Sequence, residues 1–211
     1  MDAHEVEEEA VSLGADVAEL LAGAGIGDVD VAAAVADEHV RTAAYQRVVA
    51  AVVASGSRER ERAVVDVLLR DPHELGAKTA VVALVDGVAR RAGGLGEFRA
   101  RAEELRVAAG RFRGEGHRAF VRRRIDDWVL WHSVREGRVP TAGELAEATD
   151  WMQRLLAGQS TSTAVLALLA ASGRTRKVRN VAKGRVAGVR PAGGAGRSNE
   201  TQRLAEGGPG R

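Results

Sequence analysis

Apolar side chains recur along the chain at the alternating spacings of three and four residues that are typical of amphipathic helices. The first such stripe lies between residues 5 and 22 and consists of Val6, Ala10, Leu13, Val17 and Leu20. Carboxylates occupy positions outside this stripe, and Gly23 follows it as a helix terminator. The pattern therefore predicts an amphipathic helix near the N-terminus.

Capping residues mark the boundaries of further helices. Asp30 is suited to cap a long helix over residues 30–55, and Thr175 is suited to cap a last, basic helix. The segments 71–74 and 141–144 have the spacing of capping boxes, in which two side chains satisfy free amides of the first turn. We predict an all-α protein, either a multi-helix bundle or a short α-superhelix, of seven to nine antiparallel helices.

Three runs rich in β-branched residues, at 48–53, 64–69 and 79–85, are an alternative to this interpretation because they could form strands. Their spacing is too short for strand–helix–strand units, which need roughly 30 residues. The segments between the runs also contain no Asn-Gly type of hairpin turn. Helices are therefore favoured in all three places.

Composition narrows the class of protein further. Aromatic residues make up only 3% of the chain, so the core must consist mainly of Ala, Val and Leu, which suits closely packed helices. The chain has no cysteine, which excludes disulfides and thiolate metal sites. No apolar run reaches the roughly 18 residues that a membrane-spanning helix needs, and the N-terminus is acidic rather than basic. These features predict a cytoplasmic protein without a membrane span.

Charge is distributed unevenly along the chain. The first 40 residues contain eleven carboxylates and no Lys or Arg, whereas the rest is strongly basic. Such asymmetry is typical of a nucleic-acid-binding portion or of a self-masking acidic arm. Arg accounts for most of the basic residues, which is also expected from codon bias in a GC-rich bacterial genome. We predict a helical domain over 1–187 with an acidic part at 1–40, followed by a disordered Gly- and Arg-rich tail at 188–211.

Catalytic and metal-binding patterns are not recognisable. The five histidines are scattered, without the convergent ligands that a metal site needs. Asp126 and Asp127 point about 100° apart on a helix and follow Arg122 and Arg123 by four residues, so we expect a solvated, ion-paired face. Gly23 to Gly27 resembles a phosphate-binding loop only superficially, since no strand precedes it. We therefore expect no enzyme activity, no catalytic residue, no metal and no cofactor.

The three tryptophans are the main aromatic landmarks. Trp128 and Trp131 lie three residues apart in a predicted helix over 117–136, and Trp151 lies in the next helix. We expect them to anchor the core where these two helices meet. Trp131 lies off the main apolar stripe and is also a candidate recognition residue.

The C-terminal part of the predicted domain contains a concentrated run of basic residues. No carboxylate interrupts the sequence from residue 174 to residue 197. A helix beginning near residue 176 would place several of these cations on one face, where they could neutralise phosphates. The candidate nucleic-acid-binding residues are Arg174, Arg176, Lys177, Arg179, Lys183 and Arg185.

Two segments resemble HEAT-type helical repeats. An apolar helix ends at Ala-Ser-Gly, and a basic helix begins, both at 54–56 and at 171–173, and Val178-Arg179 resembles the pair that often opens the second helix of such a repeat. The resemblance covers residues 45–92 and 162–187 and implies stacked helical hairpins.

Residues 141–187 also resemble excisionase-type helix-turn-helix modules. Gly143 to Ala146 looks like their first helix, and Ser172 to Arg185 looks like the end of the recognition helix and the wing. The stretch from Trp151 to Thr163 is an insertion where these modules have a tight turn.

These observations lead to two hypotheses of function. The first is a non-catalytic helical interaction or adaptor protein that contacts a protein partner or a second copy of itself. The alternative is a DNA- or RNA-binding regulatory protein that uses residues 174–185.

Overall fold

The computed structural model describes residues 3–188, and this part of the chain forms eleven α-helices and no strand. They are α1 (Ala3–Gly23), α2 (Val31–Ala36), α3 (Glu38–Ser55), α4 (Arg58–Leu68), α5 (Glu74–Arg91), α6 (Leu95–Ala109), α7 (Glu115–Arg135), α8 (Ala142–Glu147), α9 (Asp150–Gln159), α10 (Thr163–Ser172) and α11 (Arg176–Gly188). The all-α prediction is confirmed, and the β-branched runs lie in α3, α4 and α5. None of the described helices is long and apolar enough to cross a bilayer. The predicted disordered tail lies outside the described residues, except for Gly188.

Two six-residue helices, α2 and α8, raise the number of helices above the expected seven to nine. The predicted long helix over 30–55 is wrong because Asp37 interrupts it. Its backbone is extended, and its carboxylate accepts hydrogen bonds from the amides of His39 and Val40. Asp30 caps α2 alone, through the amides of Ala32 and Ala33. The longest helices are therefore α1 and α7, of 21 residues each.

The two predicted capping boxes have different outcomes. The box at Thr141 and Glu144 forms at the start of α8. The box at 71–74 does not form, since the carboxylate of Asp71 accepts hydrogen bonds from Arg41 Nε at 2.9 Å and from the Tyr45 hydroxyl at 2.8 Å. The other carboxylate oxygen of Asp71 accepts a hydrogen bond from the amide of His73 at 2.8 Å. Asp71 therefore combines a long-range ion pair with a short local contact in place of the predicted box, and all three side chains of the ion-paired group are buried.

Alternate helices stack on one another along the chain. Each odd-numbered helix, from α1 to α11, packs against the next odd-numbered helix. Gly76 and Gly87 of α5 lie against Thr42 and Val53 of α3, so these two helices run in the same direction and α4 returns the chain between them. The odd-numbered helices therefore form one stack of packed helices.

Two apolar cores lie within this stack. The larger core extends from Leu13 to Trp128, and the smaller one joins the end of α7 to α8–α11. Trp131, Trp151 and Leu155 pack against both cores. The rings of Trp128 and Trp151 meet edge to face at 5.6 Å, as do those of Trp128 and Trp131 at 5.2 Å. The expectation that the three tryptophans anchor the core between two helices is therefore confirmed.

Glycine at position 87 sets the closeness of α3 and α5. A Cβ atom at this position would lie 2.6 Å from one methyl group of Val53 and 2.8 Å from the other. We therefore expect Gly87→Ala to lower the free energy of unfolding by about 1–3 kcal/mol, because overpacking outweighs the helix propensity of alanine. Chemical denaturation measures this change.

Gly158 in α9 provides a matched control, since a Cβ there would meet no atom within 4 Å. Gly158→Ala should leave stability unchanged or raise it by up to about 1 kcal/mol. Combining Gly87→Ala with Val53→Ala should recover part of the loss. Equal effects of the two single alanine variants would contradict the close contact.

His132 is 1% exposed and lies between Phe98 and Trp131. Its Nε2 atom lies 2.9 Å from the carbonyl oxygen of Ala89, and burial lowers the pKa of the imidazole. The native protein therefore holds His132 neutral more strongly than the unfolded chain does.

This pKa shift predicts the direction of a pH dependence. Stability from neutral His132 is fully present above the unfolded pKa of about 6.5 and is lost as the pH falls through the lower folded pKa. We expect the free energy of unfolding to decrease between pH 7.5 and pH 5, and His132→Gln to flatten that decrease. His39→Gln, which changes an exposed side chain, should keep the wild-type slope. An unaltered slope in His132→Gln would assign the pH dependence to other groups.

Candidate binding surface on the C-terminal hairpin

The helices α10 and α11 form a hairpin that is closed by three residues, Gly173 to Thr175. A Cβ atom at position 173 would lie 2.6 Å from the carbonyl oxygen of Leu169 and 2.7 Å from a methyl group of Val178, so the turn requires glycine. The Thr175 hydroxyl accepts a hydrogen bond from the amide of Val178 at 3.2 Å, which confirms the predicted cap. Val178 and Ala182 then bury one side of α11.

Three of the six predicted nucleic-acid-binding residues hold the hairpin in place. Arg174 donates through Nη2 to the carbonyl oxygen of Ala146 at 2.6 Å, and Arg185 donates through Nη1 to that of Ala157 at 3.2 Å. The guanidinium of Arg179 donates to the carbonyl oxygen of Gly173 at 2.7 Å. These side chains satisfy carbonyl groups at or near the ends of α8, α9 and α10.

The other three, Arg176, Lys177 and Lys183, are exposed and make no ion pair or hydrogen bond within residues 3–188. No carboxylate occurs in the sequence from residue 151 to residue 188 that could neutralise them. Exposed unpaired arginines elsewhere, such as Arg60 and Arg122, have acidic residues within one turn of their own helix. We call these three unpaired side chains of α11 the cationic face; Arg176 and Lys183 point to nearly the same side of the helix, and Lys177 points about 100° away from Arg176.

An apolar groove lies beside the cationic face, between α10 and α11. It has a volume of about 570 Å³ and is lined by Ala167, Ala170, Ala171, Lys183, Val186 and Ala187. Because Arg176 precedes Lys183 by seven residues, the two lie on nearly the same side of α11. The hairpin thus combines a small apolar depression with unneutralised positive charge.

A buried glutamine connects this hairpin to the rest of the protein. Gln153 of α9 is 1% exposed, and its Oε1 atom accepts a hydrogen bond from the amide of Arg174 at 2.8 Å. Its Nε2 atom donates to the carbonyl oxygens of Leu145 and Ala148 at 2.8 and 3.3 Å. One side chain therefore satisfies three main-chain groups in two segments, the C-terminal end of α8 and the turn between α10 and α11.

Sequence reasoning did not single out Gln153 or the groove. The available signal for Gln153 was a polar residue next to Met152 and three residues before Leu156, within an apolar face. The groove gave no signal, because surface alanines are common in helices of this composition. Trp131, the other recognition candidate, is half-buried against Trp128 and His132, with Arg135 over its ring.

Asp127 contradicts the expectation of a solvated acidic pair. It is buried, it accepts hydrogen bonds from the amide and hydroxyl of Thr149, and burial raises its pKa. Asp126 is exposed as expected but pairs with Arg106 of α6 at 2.6 Å rather than with its own helix. Within the described range, no three His, Asp or Glu side chains are grouped so that they could hold a metal ion.

The chain was compared with protein-family models, with curated proteins and with solved structures, and no match was found in any of the three.

Removing the polar groups of Gln153 tests its connecting role. Gln153→Leu would leave the amide of Arg174 and two carbonyl groups buried without partners, at about 1–3 kcal/mol for each unsatisfied group. We expect a loss of stability of at least about 2 kcal/mol, together with faster hydrogen exchange of the Arg174 amide. Gln159→Leu, on the exposed side of the same helix, is the control and should change neither quantity. Equal exchange rates in the two variants would exclude Gln153 as the connection.

Proposed function

We propose that this chain is a non-catalytic helical interaction protein that binds an acidic protein partner through the α10–α11 hairpin. The observation that carries the proposal is that Lys183, an exposed cation without an ion pair among the described residues, lines the apolar groove and that Arg176 lies on nearly the same side of α11. Complementary charge accelerates and orients association, whereas burial of apolar surface supplies most of the affinity. An acidic amphipathic helix is the ligand whose chemistry fits both features.

The construction of the hairpin supports this proposal. Three of its arginines bind carbonyl groups of the protein itself. The side chains of Arg176, Lys177 and Lys183 make no such contact within the described residues and are accessible to an external partner. Because α11 packs on α9 and α10, a partner would meet a preformed surface and lose little free energy in ordering it. The resemblance to HEAT-type repeats is consistent with such a role, since stacked hairpins present extended binding surfaces.

Nucleic-acid binding is the second candidate, and the uninterrupted positive charge of the cationic face favours it. Three free cations allow about three phosphate contacts, which corresponds to a log–log salt slope of about −2.7 on duplex DNA. The apolar groove has no role in a contact with phosphates alone. Because only an acidic protein partner would use the groove, we rank it as the first candidate. The two candidates can be distinguished by measuring binding to a peptide and to nucleic acid.

Fluorescence anisotropy with three labelled probes distinguishes these candidates. The probes are an amphipathic peptide of Glu, Ala and Leu, a 20-base-pair DNA duplex and a 20-nucleotide RNA strand (lengths of about 20 exceed the contact site). The variant Arg176→Ala/Lys177→Ala/Lys183→Ala should weaken peptide binding by at least about tenfold, or 1.4 kcal/mol. The control Arg60→Ala/Arg99→Ala/Arg122→Ala removes the same charge elsewhere and should bind as wild type does.

The pattern of results assigns the function. Peptide binding that depends on the cationic face supports the interaction protein. Binding of duplex or RNA with a slope near −2.7, lost in the α11 variant and unmatched by the peptide, supports the second candidate. Equal losses in the α11 variant and the control would mean that only net charge matters, which contradicts both.

A further inference from the structure

The first half of α1 projects from the body of the protein. The side chains described between Glu7 and Ser12 are exposed, Val11 to 69%, and Leu13 is the first residue of the helix that the structure describes as buried. From Leu13 onward, α1 packs against α2, α3 and α4. We call residues 4–12 the acidic arm, because its sequence contains four glutamates and no Lys or Arg.

The carboxylates of α1 differ in how they are paired. Asp16, in the packed half, lies 2.6 Å from Arg70, which also lies 3.7 Å from Glu19. Glu7 and Glu8 of the acidic arm form no ion pair with any described residue. The described side chains of this part of α1 therefore present apolar surface at Val11 and unneutralised negative charge at Glu7 and Glu8.

The apolar groove lies at the opposite end of the stack. In an array of hairpins, each hairpin covers the face of its neighbour, and a terminal hairpin normally presents a polar face to solvent. The outward side of α10 and α11 instead presents Ala167, Ala171, Val186 and Ala187. Among residues 3–188, no further helix covers this end of the stack.

We infer that the acidic arm of one copy docks in the α10–α11 groove of a second copy, so that copies associate head to tail. This inference rests on the proposed function and names its partner as the chain itself. Carboxylates of the acidic arm would face Lys183 and Arg176, and Val11 would lie on the alanines of the groove. The same contact would repeat from copy to copy, because the donor and acceptor surfaces are different.

Two other arrangements fit the structure less well. Pairing two α10–α11 hairpins with each other would place Lys183 near its counterpart, and residues 151–188 contain no carboxylate to compensate. Docking of the acidic arm on its own groove is limited by distance. Four helix-to-helix steps of about 9 Å separate α3 from α11, whereas nine helical residues span about 14 Å.

Sedimentation velocity of the full chain, free of nucleic acid, tests the inference. At 50 mM salt the average mass should rise with protein concentration, and at 500 mM salt it should return to that of a monomer, because screening weakens the contact. Two full-length variants then separate donor from acceptor. The arm-neutral variant is Glu5→Gln/Glu7→Gln/Glu8→Gln/Glu9→Gln, and the hairpin-neutral variant is Arg176→Ala/Lys177→Ala/Lys183→Ala.

Each variant alone should remain monomeric at 50 mM salt. An equimolar mixture should form a one-to-one dimer and nothing larger, since only the acidic arm of one variant and the groove of the other remain intact. Circular dichroism verifies that both variants keep the wild-type helical content.

Three results would overturn the inference: a monomeric wild type at every concentration, association that persists in either variant alone, or a mixture without dimers. The peptide assay described above is independent of self-association. A monomeric wild type that still binds the acidic peptide would reject the second copy as partner and leave the proposed function intact, whereas loss of both would reject both.

Discussion

The carboxylate of Asp86 is the group on which the relative placement of the helices depends most directly. It lies on α5 and accepts hydrogen bonds from Nε and Nη2 of Arg124 at 2.7 Å each. The same carboxylate accepts a third hydrogen bond, from the indole nitrogen of Trp128 at 2.8 Å. A buried charge is tolerated only when its partners are complete, so α5 and α7 are held in one register by this group.

The constraint extends from Asp86 to the binding surface in two steps. The guanidinium of Arg124 lies 3.3 Å from the ring centroid of Trp151, which opens α9. The planar guanidinium thus pairs with a carboxylate along its edge and with an indole across its face, which a lysine could not do. From α9, Gln153 binds the turn of the hairpin and the carbonyl group of Ala157 binds Arg185. The orientation of α11 therefore follows from contacts that begin at α5.

Sequence patterns predicted the features that depend on neighbouring residues. The helical class, the Thr141 cap and the meeting of the three tryptophans all follow from spacing within one or two turns. The errors at Asp71 and Asp127 share one cause. In the fold each carboxylate binds a group more than twenty residues away in the chain: Asp71 binds Arg41 in addition to the nearby amide of His73, and Asp127 binds Thr149. The break at Asp37 could not be predicted for a different reason. Asp is tolerated inside a helix and preferred at its start, so the sequence did not decide between one long helix and two helices.

The candidate surface could be predicted only in part for a related reason. The run of six basic residues in α11 and the preceding turn is visible in the sequence, but the division into three fixed and three free side chains is not. That division depends on where the ends of α8, α9 and α10 place their carbonyl groups, some of them 28 residues away. Gln153 was missed because its three main-chain partners belong to segments that only the fold brings together.

Arginine is abundant in this chain, and many of its side chains have a structural role outside the candidate binding surface. Arginine side chains repeatedly bind carbonyl groups where helices end: Arg41 at the end of α2, Arg91 at the end of α3, Arg118 ahead of α7 and Arg179 at the end of α10. Such contacts favour arginine, whose planar guanidinium presents several donors to free carbonyl oxygens and whose charge opposes the helix dipole.

Lysine follows a different rule in this chain. It occurs only three times, and two of the three, Lys177 and Lys183, lie on the cationic face. The third, Lys78, lies over the ring of Phe120. A compact, strongly hydrated ammonium group on a flexible stem suits a surface contact that forms and dissociates, rather than a fixed internal cap. Many of the arginines in this chain therefore have a structural role at helix ends. The evidence for a binding surface is instead the presence of Arg176, Lys177 and Lys183, which make no contact of this kind in the described part of the chain.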